Sequence, residues 1–178
     1  MPRVSWVNSQ HRVVILLALL TIAAFILLLG QPYFTNASKP RFGDPMLAIQ
    51  FARDVQDVDW ILGDAPSPDR EVMRVKQYVD FAFITCYTAL FLALSSLAAR
   101  KGGWRQVTGI AAGICGVAAG VFDVLENRAI LSILDVPLRA TTPALIQAIR
   151  GPSTAKWILA GVTVVLLAVS LIRIPKTS

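Results

Sequence analysis

Six residues carry the chemistry that this chain's pattern singles out: Asp80, Tyr87, Asp123, Glu126, Asn127 and Lys156. Asp123, Glu126 and Asn127 form a D-x-x-E-N run. Helix residues three and four apart are neighbours, so this spacing sets two carboxylates and an amide on one side of a helix. Carboxylates gathered near a lysine serve in one of three ways. They form a structural ion pair, they bind the polar head of a lipid or small amphiphile, or they act in acid–base chemistry with Glu126 or Asp123 as general base. The residues leave all three open. Other chemistries fail by inventory. His11 is the only histidine, which excludes a histidine metal site and a Ser-His-Asp triad. No nucleophile–base motif, metal-ligand spacing or nucleotide-binding motif is present, so neither a metal nor a cofactor is expected.

The elements that must position these residues are membrane spans. The chain is 55% hydrophobic and 16% charged, whereas soluble domains carry about 25% charged residues. Four runs are free of charge: 18 residues from Val13 to Gly30, 19 from Phe81 to Ala99, 17 from Gln106 to Phe122 and 16 from Trp157 to Ile172. Each approaches the roughly 20 residues that cross a bilayer core. The expected fold is therefore all-α, a single integral membrane domain over 1–178 built as a four-helix transmembrane bundle. Soluble enzyme, disordered chain, coiled coil and disulfide scaffold are excluded. The first span reads as a retained signal anchor, because its apolar core exceeds that of a signal peptide.

The net charge of +6 has a topological explanation rather than a nucleic-acid one. Arg3, Arg12, Arg100, Lys101, Arg105, Arg173 and Lys176 flank the spans in three short segments that contain no acid. The positive-inside rule puts these segments and both termini in the cytoplasm, as expected for a bacterial inner membrane. Loops 31–78 and 128–155 then face outward. Each is expected to carry an amphipathic helix. In the first loop Asp44-Pro45 starts a helix over 44–62, with Leu47, Phe51, Val55, Val58 and Leu62 on its apolar face, and Gly63 closes it. Ser67-Pro68 starts the long second spanning helix. In the second loop Thr142-Pro143 starts a short helix that Gly151-Pro152 ends. Trp60, Trp104 and Trp157 fit an interfacial belt. Asn36-Ala37-Ser38 is a formal glycosylation sequon on the outer side.

Helix 3 supplies the register. Gly109, Gly113, Gly116, Gly120, Asp123 and Asn127 recur at spacings of 4, 3, 4, 3 and 4. The stripe lets a second backbone approach closely, either within the chain or from a partner. It ends in the acidic run. Asp123 lies about 26 Å along the helix from its cytoplasmic start near Gln106. Asp80, Lys156, Arg128, Gln31 and Tyr33 reach a similar depth at the outer boundary. Cys86 and Cys115 lie at different depths, which argues against a disulfide.

Three stretches, "YVDFAFITCYTALF", "GVFDVLENRAI" and "AKWILAG", resemble a loosely defined set of uncharacterised bacterial four-helix integral membrane proteins over residues 44–172. The resemblance implies an Asp opening helix 2 (Asp80), the D-x-x-E-N run at 123–127 and a Lys opening helix 4 (Lys156). It implies no reaction.

The leading expectation is a multipass membrane protein that binds a polar lipid headgroup or small amphiphile at the acidic/Lys cluster near the outer boundary. The alternatives are a structural or assembly subunit, a homo-oligomer or partner complex meeting a second helix on the glycine stripe, and a lipid-modifying enzyme. The topology gives a direct test. A cysteine placed at Asp64 should be labelled by an impermeant reagent from outside intact cells, and one placed at Gly102 should not. Labelling at Gly102 would overturn the assignment.

Overall fold

The computed structural model describes residues 3–30, 33–34 and 44–172, with side chains given from residue 9 onward. Gln31, the Asn36 sequon, Arg173 and Lys176 lie outside the described residues, as does the Arg3 side chain. Six α-helices follow in order: α1 (Arg3–Leu29), α2 (Pro45–Gln50), α3 (Val55–Leu62), α4 (Pro68–Ala99), α5 (Trp104–Leu134) and α6 (Pro143–Leu171). A 3-10 turn at Leu138–Ala140 joins the last two. No strand occurs among the described residues. Four of these helices, the ones containing the uncharged runs, are long and apolar enough to cross a membrane.

Local chemistry accounts for most of the boundaries. The Asp44 carboxylate accepts the Met46 and Leu47 N–H groups at 2.7 and 3.2 Å. Ser67 and Thr142 cap α4 and α6 in the same way, each with proline at the first helical position. Gly63 ends α3 at φ +67°, a conformation that costs glycine little.

Two boundaries differ from the sequence expectation. The segment 44–62 is two short helices, not one. Asp54 accepts the Asp57 N–H at 2.9 Å, and Asp57 reaches back to the Arg53 N–H at 2.9 Å. This reciprocal capping gives the backbone an alternative to continued helix at residues 51–54. The buried face accordingly shifts to Ala48, Ile49, Ala52, Val58, Ile61 and Leu62, while Phe51 is exposed. The second difference is at Gly151-Pro152, where no helix ends: Pro152 lies inside α6. Proline removes one helical N–H. The Ser153 and Thr154 hydroxyls donate to the Ile149 and Arg150 carbonyls at 2.8 and 2.9 Å, adding bonds to the backbone around the interruption.

α5 is the centre of the bundle. α4 packs on one side of it and α6 on another, while α1 packs on α4. The glycine stripe faces α4. A Cβ at Gly109 would stand 2.6 Å from the Ala99 nitrogen and 2.8 Å from the Ser95 carbonyl oxygen. One at Gly116 would stand 2.9 Å from the Phe91 Cβ, and one at Gly120 would meet the Thr88 hydroxyl. At Gly109 the two backbones meet, and at Gly116 and Gly120 the Phe91 and Thr88 side chains of α4 take the space a Cβ would need.

One end of the bundle is closed by a separate apolar core. Ile49, Val58, Leu62, Met73, Ile130, Ile133 and Ile149 meet there, each at most 1% exposed. Arg70 is buried beside them. Its guanidinium donates to the Ile133, Leu134 and Val136 carbonyls at 2.9, 2.9 and 3.0 Å and to the Gly63 carbonyl at 2.9 Å. A cation on the unpaired carbonyls of a helix C-terminus is favourable. Nearby, the Asp64 carboxylate accepts the Leu138 and Ala65 N–H groups, both at 2.8 Å. Those bonds, the one from Leu138 foremost, hold its pKa below the ordinary carboxylate value. A depressed folded-state pKa means that this clasp contributes above the unfolded-chain value of about 3.9 and is lost as pH falls through the lower folded value.

The glycine contacts predict an order of damage. Gly109→Ala should destabilise by about 1–3 kcal/mol, because its neighbours are α4 backbone atoms that cannot yield. Gly113→Ala, whose Cβ would sit 3.4 Å from the Ser95 Cβ, should cost much less. Thermal unfolding in detergent reads both, and equal losses would contradict the packing.

Candidate functional site

Three helices converge on one buried polar cluster. α4 contributes Asp80 and Tyr87, α5 contributes Asp123, Glu126 and Asn127, and α6 contributes Lys156. The Lys156 ammonium donates to Asp123 Oδ1 at 2.6 Å and to Glu126 Oε1 at 2.9 Å. It stands equally near Glu126 Oε2, at 2.9 Å. The Tyr87 hydroxyl donates to Asp123 Oδ2 at 2.9 Å. The Asn127 amide donates to Asp80 Oδ2 at 2.8 Å. Glu126 and Asn127 are fully enclosed, while Asp80, Asp123 and Lys156 keep 6–7% exposure.

Helix geometry explains the convergence. Asp123 and Asn127 continue the stripe that holds α5 against α4, so they point at Asp80 and Tyr87. Glu126 lies on the neighbouring flank and meets α6. Charges this deeply enclosed must be paired or hydrogen-bonded. Asp123 has both oxygens engaged, and Glu126 shares the lysine. Asp80 stands apart: among the described residues it forms no ion pair, and only one of its oxygens accepts a hydrogen bond.

A half-open cavity of about 470 Å³ adjoins the cluster. Its walls come from α1, α2, α4 and α6, with Asp123 reaching it from α5. Asp80, Tyr87, Asp123 and Lys156 form its polar end, and Asp44 also borders it. Most of the remaining wall is apolar, including Phe25, Leu28, Met46, Leu47, Phe83 and Phe91. Glu126 and Asn127 do not line it. They stand behind the residues that do.

Several expected members are elsewhere. Arg128 is exposed and turned away from the cluster. It follows Asn127 by one residue, a rotation of about 100° around the helix. Tyr33 is 62% exposed. Of Trp60, Trp104 and Trp157, the last borders the cavity, and its indole N–H donates to the Gln50 side chain at 2.9 Å. Sequence reasoning missed Gln50, Asp44 as a cavity residue, and Lys76. The Lys76 ammonium donates to the Leu28 and Gly30 carbonyls at 2.8 and 2.9 Å, tying the end of α1 to α4. Its partners are backbone oxygens, which no side-chain pattern reveals. Phe25 of α1 also contacts Phe83 at 5.6 Å between centroids, and Phe83, Tyr87 and Phe91 continue as a ladder along α4.

The chain matches no protein-family model, no curated protein and no solved structure.

The cluster predicts a stability signature. Lys156→Met leaves two buried carboxylates without their cation and should cost about 3–5 kcal/mol. Adding Asp123→Asn and Glu126→Gln to that variant should recover part of the loss. Unfolding in detergent micelles measures both steps. An unchanged Lys156→Met protein would show that the three groups are not coupled.

Proposed function

We propose that the chain is a multipass membrane protein that binds the polar head of a lipid or small amphiphile at the cluster of Asp80, Tyr87, Asp123, Glu126, Asn127 and Lys156. The observation that carries this reading is the cavity: a mostly apolar chamber of about 470 Å³ whose polar end is gathered from α4, α5 and α6. Ligand sites are typically concavities of this size, mostly apolar, with a few convergent polar groups. An amphiphile has the matching division of polarity.

In this proposal the four long helices span a bacterial inner membrane with both termini cytoplasmic, and the cluster stands near the outer boundary. The seven-to-none split of basic and acidic residues in the three short segments supports that orientation. α2 and α3 then belong to the outer side, as amphipathic elements of the loop 31–78. α2 supplies Met46 and Leu47 to the cavity wall, and α3 covers the bundle end.

The other readings have less support. A subunit that docks a partner helix on the glycine stripe must compete with α4, which already fills it. A lipid-modifying enzyme needs a free general base, yet Asp123 and Glu126 both accept from Lys156, and Glu126 is walled off from the cavity.

Native mass spectrometry of the protein released from a mild neutral detergent should show a retained amphiphile of defined mass. Ala160→Phe, which narrows the cavity from α6 one turn from Lys156, should abolish that adduct while thermal stability is kept. A wild-type protein with no adduct, or an adduct indifferent to Ala160→Phe, would refute the proposal.

A further inference from the structure

We infer that the amphiphile bound in this cavity carries a positively charged head, an ammonium group on an apolar tail, with Asp80 as its counter-ion. This rests on the binding function proposed above and adds the sign and chemistry of the ligand.

The sign follows from the groups that border the cavity. Three are carboxylates, Asp44, Asp80 and Asp123, and one is a cation, Lys156. Lys156 is already committed, holding Asp123 at 2.6 Å and Glu126 at 2.9 Å. An anionic head, whether phosphate, sulfate or carboxylate, would have to compete with both acids for that lysine while facing three negative groups. A cation meets the opposite arrangement. Asp80 is 93% enclosed by its 7% exposure, borders the cavity, and among the described residues has the Asn127 amide as its one hydrogen-bond partner. The neighbouring cations are turned elsewhere. Lys76, one turn along α4, donates to the α1 carbonyls, and Arg74 pairs with Asp135 and Glu71.

The wall beside Asp80 suits an ammonium as well. Tyr87 lies two turns along α4 with Phe83 between them, while the Trp157 ring already faces the Lys156 ammonium at 5.6 Å. Aromatic faces attract ammonium and quaternary ammonium groups, the more so when water is excluded. Beyond that end the lining offers mainly aliphatic and aromatic surface, which requires a tail rather than a small free cation.

The test uses the full chain in a neutral maltoside detergent, with decyltrimethylammonium, decyl sulfate, decanol and tetramethylammonium as submicellar probes, read by equilibrium dialysis. Decyltrimethylammonium should bind about tenfold or more tightly than decanol or decyl sulfate, the advantage expected of a charge-assisted contact. Tetramethylammonium, with no tail, should bind far more weakly. Asp80→Asn should remove the advantage over decanol while binding of decanol itself is kept. Equal or tighter binding of decyl sulfate would overturn the inference and leave the amphiphile proposal standing. Tetramethylammonium binding as tightly as the decyl compound would overturn it too, by making the tail irrelevant. A preference unchanged in Asp80→Asn would remove Asp80 as the counter-ion. If no probe binds, both the inference and the proposed function fall. Should Asp80→Asn not fold, the probe series on the wild-type protein decides the sign by itself.

Discussion

The ammonium of Lys156 between Asp123 and Glu126 is the interaction on which the rest of the arrangement depends. Enclosing two neighbouring carboxylates at most 6% exposed is costly without a cation beside them. Lys156 supplies it from a different helix, and in doing so fixes α6 against α5 at one height and one rotation. Everything near the cavity follows from that choice. Trp157 is turned toward Gln50 of α2, Ala160 faces the cavity from the next turn, and Asp80 is left with an amide instead of a cation.

The bundle divides its labour between its two kinds of contact. Along the α4–α5 seam, the glycines leave room for the α4 backbone at Gly109 and for the Ser95, Phe91 and Thr88 side chains further along. At the closed end, bulky aliphatic side chains from α2, α3, α4, α5 and α6 fill a core, and Arg70 ties off the α5 carbonyls. The outer faces of the four long helices stay apolar and exposed, as with Leu19, Ile26, Ile114 and Val165. Such surface is untenable in water over so wide an area, and it matches the four charge-free runs. α1 takes the least part in either contact. Among its described side chains, Ala24 and Leu28 are the buried apolar ones, and Lys76 and Phe83 hold its end.

Much of this was legible in the sequence because it rests on helical period and rise. The spacing of Gly109, Gly113, Gly116 and Gly120 gives a packing face, and counting 1.5 Å per residue brings Asp80, Asp123 and Lys156 to one depth. The caps at Asp44, Ser67 and Thr142 follow from local side-chain chemistry. What was not legible depends on competition or on backbone partners. The stretch 44–62 carries a helical apolar pattern throughout, yet Asp54 and Asp57 break it by capping a new start. Gly151-Pro152 reads as a stop, but neighbouring hydroxyls bond the backbone there and the helix runs on. Arg70 and Lys76 look like ordinary solvated cations, because the carbonyls that receive them leave no trace in the residue pattern. Arg128 fits the depth but misses the face by one residue.

The polar cluster therefore contains two sets of groups with different demands. Glu126 and Asn127 are enclosed on every side and answer to packing: Glu126 completes the coordination of Lys156, and Asn127 orients Asp80. Asp80 and Tyr87 stand on the cavity wall and bond across to Asn127 and Asp123 of α5. Asp123 belongs to both, since one oxygen takes the lysine and the other takes the tyrosine hydroxyl. A ligand that draws on Asp80 need not disturb the Lys156 pair, because the two carboxylates hang from different helices and use different partners. On the binding function proposed above, that separation would let a ligand come and go while the bundle stays folded. The Asn127 bond to Asp80 and the Lys156 pair with Asp123 and Glu126 are separate links between the helices.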